Sequence, residues 1–293
     1  MSNSAPRDAG KRRYLSWSHD FDTRAILLKN EIDANWEEEV KERHRTNQES
    51  IRASLALEYG AAAIDQKIIN FIDLDTKPFS IISYHNALFH QVRQSFVIGG
   101  YYPALVGACT LAERILNHLI IDLREHYRST PEYPRVYRKD SFDDWRVPIE
   151  VLASWGVLLP EAVKEFRLLM PLRHRSVHFN PETYVKLRED CLSAILHVRS
   201  IIETQFGSFA LRPWFIAGTL GHVFIKKEWE NHPLIQTYFL PNCPFVGPLF
   251  AMKHGPDGWS WHDYEDYGSG DWSDEEFASK YNNRDPEKVV KPD

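Results

Sequence analysis

Apolar side chains recur at three- and four-residue spacing along two adjoining stretches of the middle of the chain. The first runs through Ile81, Leu88, Val92 and Phe96 with His85 in the same register, the second through Leu105, Ala108, Ala112, Ile115, Leu119 and Leu123. That is the one-sided pattern of amphipathic helices. The intervening GGYYP, with Gly99 and Gly100, supplies a tight turn, so the pair predicts an antiparallel helical hairpin. The pattern resumes over 149–155 and again from Pro160 to Leu172 through Val163, Phe166 and Leu169. Asn180-Pro181 then interrupts it, because a residue before proline disfavours helical backbone. A further helix is expected from about Glu182 to Phe206, with Tyr184, Leu187, Cys191, Ile195, Val198 and Ile202 on one face. Four such helices in hairpin-like succession predict an up-and-down bundle.

The flanks read differently. Residues 1 to about 19 are polar and basic (Arg7, Lys11, Arg12, Arg13) and predict a mobile terminus. From Thr23 to Leu57 the chain is helix-permissive and highly charged, with Asp20 or Asp22 as a possible cap and Gly60 as a stop. Its apolar stripe (Ile26, Ile32, Trp36, Val40, Ile51, Leu55) is narrow, which suits a surface helix or helix pair better than a core element. Residues 127–148 hold three prolines and many polar groups and read as a long, partly basic connection. Past Phe206, short β-prone runs (RPWFIAGTLGHVFIKK, LIQTYFLP, FVGPLFAMKHG) are punctuated by glycine and proline. The expected fold class is therefore mainly α, a helical bundle with a small, irregular C-terminal β unit and an acidic tail. Boundaries are expected at 1–78 (basic segment and charged helical arm), 79–206 (bundle), 207–254 (β-rich unit) and 255–293 (acidic aromatic tail).

Length and composition narrow the class. At 293 residues the chain can bury a large core and has room for a second module. The net charge of −6 is concentrated rather than spread: residues 255–293 carry eleven acids and four bases, which leaves residues 1–254 at about +1. Three scattered cysteines, Cys109, Cys191 and Cys243, make neither a disulfide framework nor a cysteine-based zinc site and point to a reducing, cytoplasmic setting. No uninterrupted run approaches the roughly 18 apolar residues of a membrane span, so no membrane association is expected. The acidic tail admits three accounts: a solvating tail, a packing element of its own β unit, or an internal RNA mimic covering a basic site.

The densest chemistry lies in Leu172–Pro181, LRHRSVHFNP, with two arginines and two histidines between Arg173 and His178. Five residues apart on one helix, Arg173 and His178 would point about 140° apart. They converge only if the helix ends between them, and Asn180-Pro181 supplies an ending. An arginine that stays charged beside a histidine that titrates near neutrality suits cleavage of a phosphodiester. RNA carries its own nucleophile, the 2′-hydroxyl, so such a site needs proton transfer by His178, charge stabilisation by Arg173, and help from His174 or Arg175, with no metal and no cofactor. One histidine cannot serve both ends of an in-line displacement, and a twofold homodimer would supply the second. Arg135, Arg138 and Lys139, interleaved with Tyr137, form a candidate surface for stacking and phosphate contact with single-stranded RNA. A solvated loop is the equal alternative. The other reading of Arg173 and His178 is a helix-end cation cluster paired with carboxylates such as Glu161 or Glu165.

On these residues the chain resembles the HEPN (higher eukaryote and prokaryote nucleotide-binding) superfamily. Arg173 matches that family's arginine, His174 its polar second position and His178 its histidine after four intervening residues, while the hairpin FHQVRQSFVIGGYYPALVGACTLAERILNHLI resembles its opening helices, with Glu113 as the acidic residue. The resemblance covers roughly residues 80–206. It implies a helical bundle that dimerises through the motif-bearing helices and a metal-independent endoribonuclease leaving 2′,3′-cyclic phosphate ends. It further implies a toxin or phage-defence role, with an antitoxin or regulatory partner. Glu113 and Asn180 are candidate supporting residues; apart from the resemblance, Glu113 reads as a core-edge carboxylate pairing with an arginine, at most orienting Arg173 or Arg114. Where some members carry a tyrosine two residues after the histidine, this chain has Asn180. The alternative is a non-catalytic RNA-binding or partner-recruiting module of the same architecture.

Overall fold

In a computed structural model that describes residues 8–17, 21–177, 184–208 and 212–291, the apolar stripes of the middle region close on one another. The chain divides into two compact units: residues 19–207, and residues 1–18 together with 208–293. The helical unit is thus inserted into the chain of the other, rather than being the second of four consecutive segments.

Within the helical unit, α1 (Arg24–Lys29), α2 (Glu38–Tyr59) and α3 (Ile64–Asp73) precede the hairpin of α4 (Ser83–Val97) and α5 (Tyr101–Leu123). The short α6 (Arg146–Ser154), then α7 (Pro160–Val177) and α8 (Leu187–Phe206), follow. Helices α4, α5, α7 and α8 pack together as the expected bundle, with α5 touching the other three. Two glycines make the hairpin possible: Gly99 turns it with φ +90°, and a Cβ on Gly107 would fall 2.9 Å from Val92 Cγ2, so α4 lies unusually close to α5 there. Among the described residues one helical stretch, Tyr101–Tyr127, is long and apolar enough to cross a membrane, at mean hydropathy 1.4. Its apolarity has another use here, because eleven residues between Ala104 and Leu123 are buried against neighbouring helices.

Helix ends are closed by side chains from elsewhere, as buried carbonyls require. Arg93, buried on α4, donates to the carbonyls of Leu74, Asp75 and Thr76 just past α3. Asn70 Nδ2 donates to the carbonyls of Phe96 and Val97 at the end of α4, and its Oδ1 accepts from Arg188. Gln205 ties α8 to the Val157–Leu159 turn, donating to Val157 O and accepting from Leu159 N. Helix α2 ends at Gly60 as the sequence suggests, and of its 22 residues only Leu55 is buried, in keeping with a surface helix. Asp22 accepts from the Arg24 backbone N–H and guanidinium at the start of α1. The 127–148 connection is more ordered than its prolines suggest: Val136, Phe142 and Trp145 are buried, and Tyr127 stacks on Trp155 at 4.5 Å.

Residues 8–17 of the N-terminal basic segment are tied into structure where a mobile terminus was expected, while residues 1–7, with Arg7, lie outside the described residues. Residues Arg13–Ser16 form β1, the middle strand of a three-stranded antiparallel sheet between β2 (Val223–Phe224) and β3 (Phe245–Val246). Strands β4 (Ala251–Gly255) and β5 (Gly258–His262) form a hairpin whose turn lies where a tail was expected to begin. Helix α9 (Asp274–Asn282), opened by a Ser273–Glu276 capping box, buries Phe277 and Tyr281 against Leu15, Phe224 and Phe250. The run LIQTYFLP, expected as strand, holds a π-helical turn over Ile235–Phe239.

Charge explains why both chain ends belong to one unit. Arg13 is fully buried and donates to Asp274 Oδ1 at 2.7 Å and to the carbonyls of Gly10, Arg12 and Trp272. Arg12 binds Asp8, Asp263 and the Tyr264 and Glu265 carbonyls, and Lys11 reaches the Tyr267 carbonyl at 2.9 Å. Burial alone would raise the Asp8 carboxyl, but hydrogen bonds from Arg12 and the Tyr267 N–H outweigh it and hold the group below the usual carboxylate range. Asp263 and Asp274 of the acidic segment are therefore internal partners, which matches the packing account, one of the three that the sequence admits.

Removing one partner of a buried ion pair costs about 3–5 kcal/mol. Six of the nine tryptophans lie in the chain-end unit, so urea unfolding followed by their fluorescence should shift to markedly lower denaturant in Arg13→Met; an unchanged midpoint would contradict the assignment.

In the helical unit, burial lowers the His85 imidazole to about 3, with the nearby His118 adding to the effect, while its Nδ1 lies 2.9 Å from Ser80 Oγ. A histidine depressed in the folded state stabilises fully above its unfolded value near 6.5. That contribution is lost as pH falls from there towards 3, because the unfolded chain binds the proton first. The wild type should lose up to about 1.4 kcal/mol per pH unit more than His85→Gln across this window; parallel stability profiles would refute it.

Candidate functional site around Arg173

Helix α7 runs through the motif as far as Val177, with Pro171 inside it. Proline has no N–H, so the Arg167 carbonyl one turn earlier lacks its α-helical donor. Arg173 follows this defect on the side facing α5. Its Nη2 donates to Glu113 Oε2 at 3.0 Å and its Nη1 to the Asp143 carbonyl at 3.2 Å. The indole N–H of Trp145, at the start of α6, donates to the same Glu113 oxygen at 3.1 Å. The guanidinium carbon also lies 5.7 Å from the centroid of that indole. Glu113 is thus an acceptor shared by Arg173 and Trp145.

Cys109, one turn before Glu113 on α5, is contacted by Ser176 Oγ at 3.7 Å. Burial pushes its thiol up to about 11, which makes it a protonated packing group and not a nucleophile. Cys191 and Cys243 are likewise free and buried.

Arg173 and His174 line an open cavity of about 330 Å³ together with Asp143, Asp144, Trp145, Met170 and Pro171. A second cavity of about 320 Å³ is lined by Glu113, Arg114, Asn117, His118 and Asp140 among others. The Arg173–Glu113 pair therefore joins residues that line two cavities. His174 is exposed. Arg175, about 200° further round the helix from Arg173, turns instead to α8 and pairs with Asp190 at 3.0 Å. His178 and Asn180 lie outside the described residues, and so does the helix ending proposed to aim His178 at Arg173.

Apart from Arg175 on α7, the residues proposed to bind RNA form a separate group on the 127–148 connection. Tyr137 stacks on Tyr133 with centroids 5.5 Å apart, and Arg138 lies 4.9 Å over the Tyr137 ring. Lys139 lies 5.7 Å from the Phe142 ring centre. Arg135 pairs with Glu150 at 2.9 Å, so part of this basic surface is neutralised within the chain. Glu165 does not pair with Arg173; it meets His197 on α8.

Sequence reasoning missed Trp145 and the Asp143 carbonyl. The available signal was DDWRVP, an acidic pair and a tryptophan directly before a helix, but pairing it with Arg173 across 30 residues needs the tertiary structure. No protein-family model, no curated protein and no solved structure matches this chain.

Arg173 and Glu113 are each mostly buried, with side chains 17% and 30% exposed. In a double-mutant cycle of Arg173→Ala and Glu113→Ala, a coupling of about 1–2 kcal/mol in unfolding free energy is expected; strictly additive losses would mean that the pair contributes nothing.

Proposed function

We propose that the chain is a metal-independent endoribonuclease of the HEPN type, active in the cytoplasm as a toxin or phage-defence effector and dimeric through its motif-bearing helices. The observation that carries this reading is the anchoring of Arg173. Glu113 and the Asp143 carbonyl hold its guanidinium at the wall of a cavity that His174 also lines. A preoriented guanidinium stabilises developing charge without reorganising during the reaction.

In the proposed chemistry the 2′-hydroxyl of RNA attacks its own phosphate, forming the new P–O2′ bond while the P–O5′ bond breaks. His178 accepts the 2′ proton or protonates the departing 5′ oxygen, a contribution of about 10²–10⁴ in rate. Arg173 donates to the non-bridging oxygens. His174 holds the phosphate or shares the proton transfer, and a second copy of the motif supplies the opposite proton-transfer group. Arg175, Arg135, Arg138, Lys139 and Tyr137 would contact the flanking strand, the tyrosine by stacking. An antitoxin or regulatory partner would restrain the activity.

One observation favours the alternative, a non-catalytic RNA-binding or partner-recruiting module. Glu113 already accepts from Arg173, so a phosphate must share the guanidinium with a carboxylate. Incubation of the protein with total RNA in EDTA separates the two readings. Cleavage to cyclic-phosphate ends is expected for the wild type, with losses of at least about 10²-fold in Arg173→Ala and His178→Ala. Salt-sensitive binding without cleavage would replace the enzyme reading with the module.

A further inference from the structure

A second arrangement lies on the bundle, apart from Arg173. Ser193 and His197 are one turn apart on α8, which places them side by side on one face. Ser193 Oγ is 3.3 Å from His197 Nε2, and His197 Nδ1 is 2.6 Å from Glu165 Oε2 on α7. The imidazole and the carboxylate are each about 20% exposed, so the group is reachable from solvent without being loose on the surface.

The carboxylate decides the tautomer. An acceptor at 2.6 Å from Nδ1 requires that nitrogen to carry the proton, which in the neutral ring leaves the Nε2 lone pair to accept the Ser193 hydroxyl. Nucleophile, base and orienting acid then stand in the order that activates a serine, the pattern by which such triads are recognised on unrelated folds. We propose that Ser193, His197 and Glu165 form a proton relay that makes Ser193 a nucleophile toward activated carboxylic esters.

In the acylation step Ser193 Oγ forms a bond to the ester carbonyl carbon while its proton passes to His197 Nε2. Glu165 holds the resulting imidazolium, and the leaving alcohol or phenol departs with that proton. Water then attacks the acyl-serine, His197 accepts its proton, and the carboxylic acid is released as the serine hydroxyl is restored. Ser193 lies inside α8, where backbone N–H groups are spent on helix hydrogen bonds, so the helix offers no oxyanion hole. The gain is therefore that of general-base activation, about 10²–10⁴, and a slowly turning over acyl-serine is expected.

The test uses the full-length protein with two probes, a fluorophosphonate read by intact and peptide mass spectrometry and p-nitrophenyl acetate read by phenolate release. One phosphonyl adduct on Ser193, with fluoride displaced, and a burst of phenolate near one equivalent are expected. Both should vanish in Ser193→Ala. Labelling should slow by about 10²-fold or more in His197→Ala, and by at least about tenfold in Glu165→Gln, which removes the acceptor that orients the base. His197→Gln provides a second variant if His197→Ala fails to fold. An adduct that is absent, lies on another residue, or forms at the wild-type rate in the His197 and Glu165 variants would overturn the proposal and leave the three as a contact between α7 and α8.

Discussion

A cation taken out of water must find acceptors, and much of this structure follows from where the buried arginines find theirs. Arg13 is the extreme case: it is fully buried and spends its guanidinium on Asp274 and three carbonyls. Those partners come from both ends of the chain. Once Arg13 is satisfied in this way, β1 lies between β2 and β3, and the long helical segment must leave and return within the topology of one unit. The basic N-terminus and the acidic C-terminus, which look like two independent charged tails, are joined within one unit through Lys11, Arg12 and Arg13.

The helical unit applies the same rule at its helix ends. Arg93 satisfies carbonyls beyond α3, and Arg188 pairs with Asp73 and Asn70. Arg173 belongs to this class in its partners, a carboxylate and a carbonyl, but differs in its place. It stands at the edge of a cavity beside an exposed histidine. The acceptors that anchor it also compete for it, so orientation and availability of the charge are set by one residue, Glu113.

The bundle was legible because burial repeats with the helical period. Ala108, Ala112, Ile115 and Leu119 are all buried on α5, and Ile195, Val198 and Ile202 on α8. The small-residue turn at Gly99 and the stop at Gly60 were legible for a local reason, the backbone conformation that glycine permits. The candidate site was legible only in its cations. Trp145 and Asp143 reach Arg173 from 28 and 30 residues away, and no periodicity encodes that approach. For the tail the sequence left three accounts open, because alternating acids and aromatics suit a solvated segment as well as a packed one, and the packed one is seen where Phe277 and Tyr281 face Phe224.

The sequence by itself determined the four bundle helices, the hairpin turn, the concentration of Arg and His chemistry in 172–181 and the polarity of charge between the chain ends. These are local properties, set by side-chain period and backbone preference within a few residues. Only the tertiary structure decided that the chain ends pair, that β1 is a central strand, that Glu113 and Trp145 hold Arg173, and that Ser193, His197 and Glu165 stand in line. Each of these joins residues whose contact depends on how separate elements pack. A buried charge dictates that a partner must exist without dictating which of many acids and carbonyls along the chain will supply it.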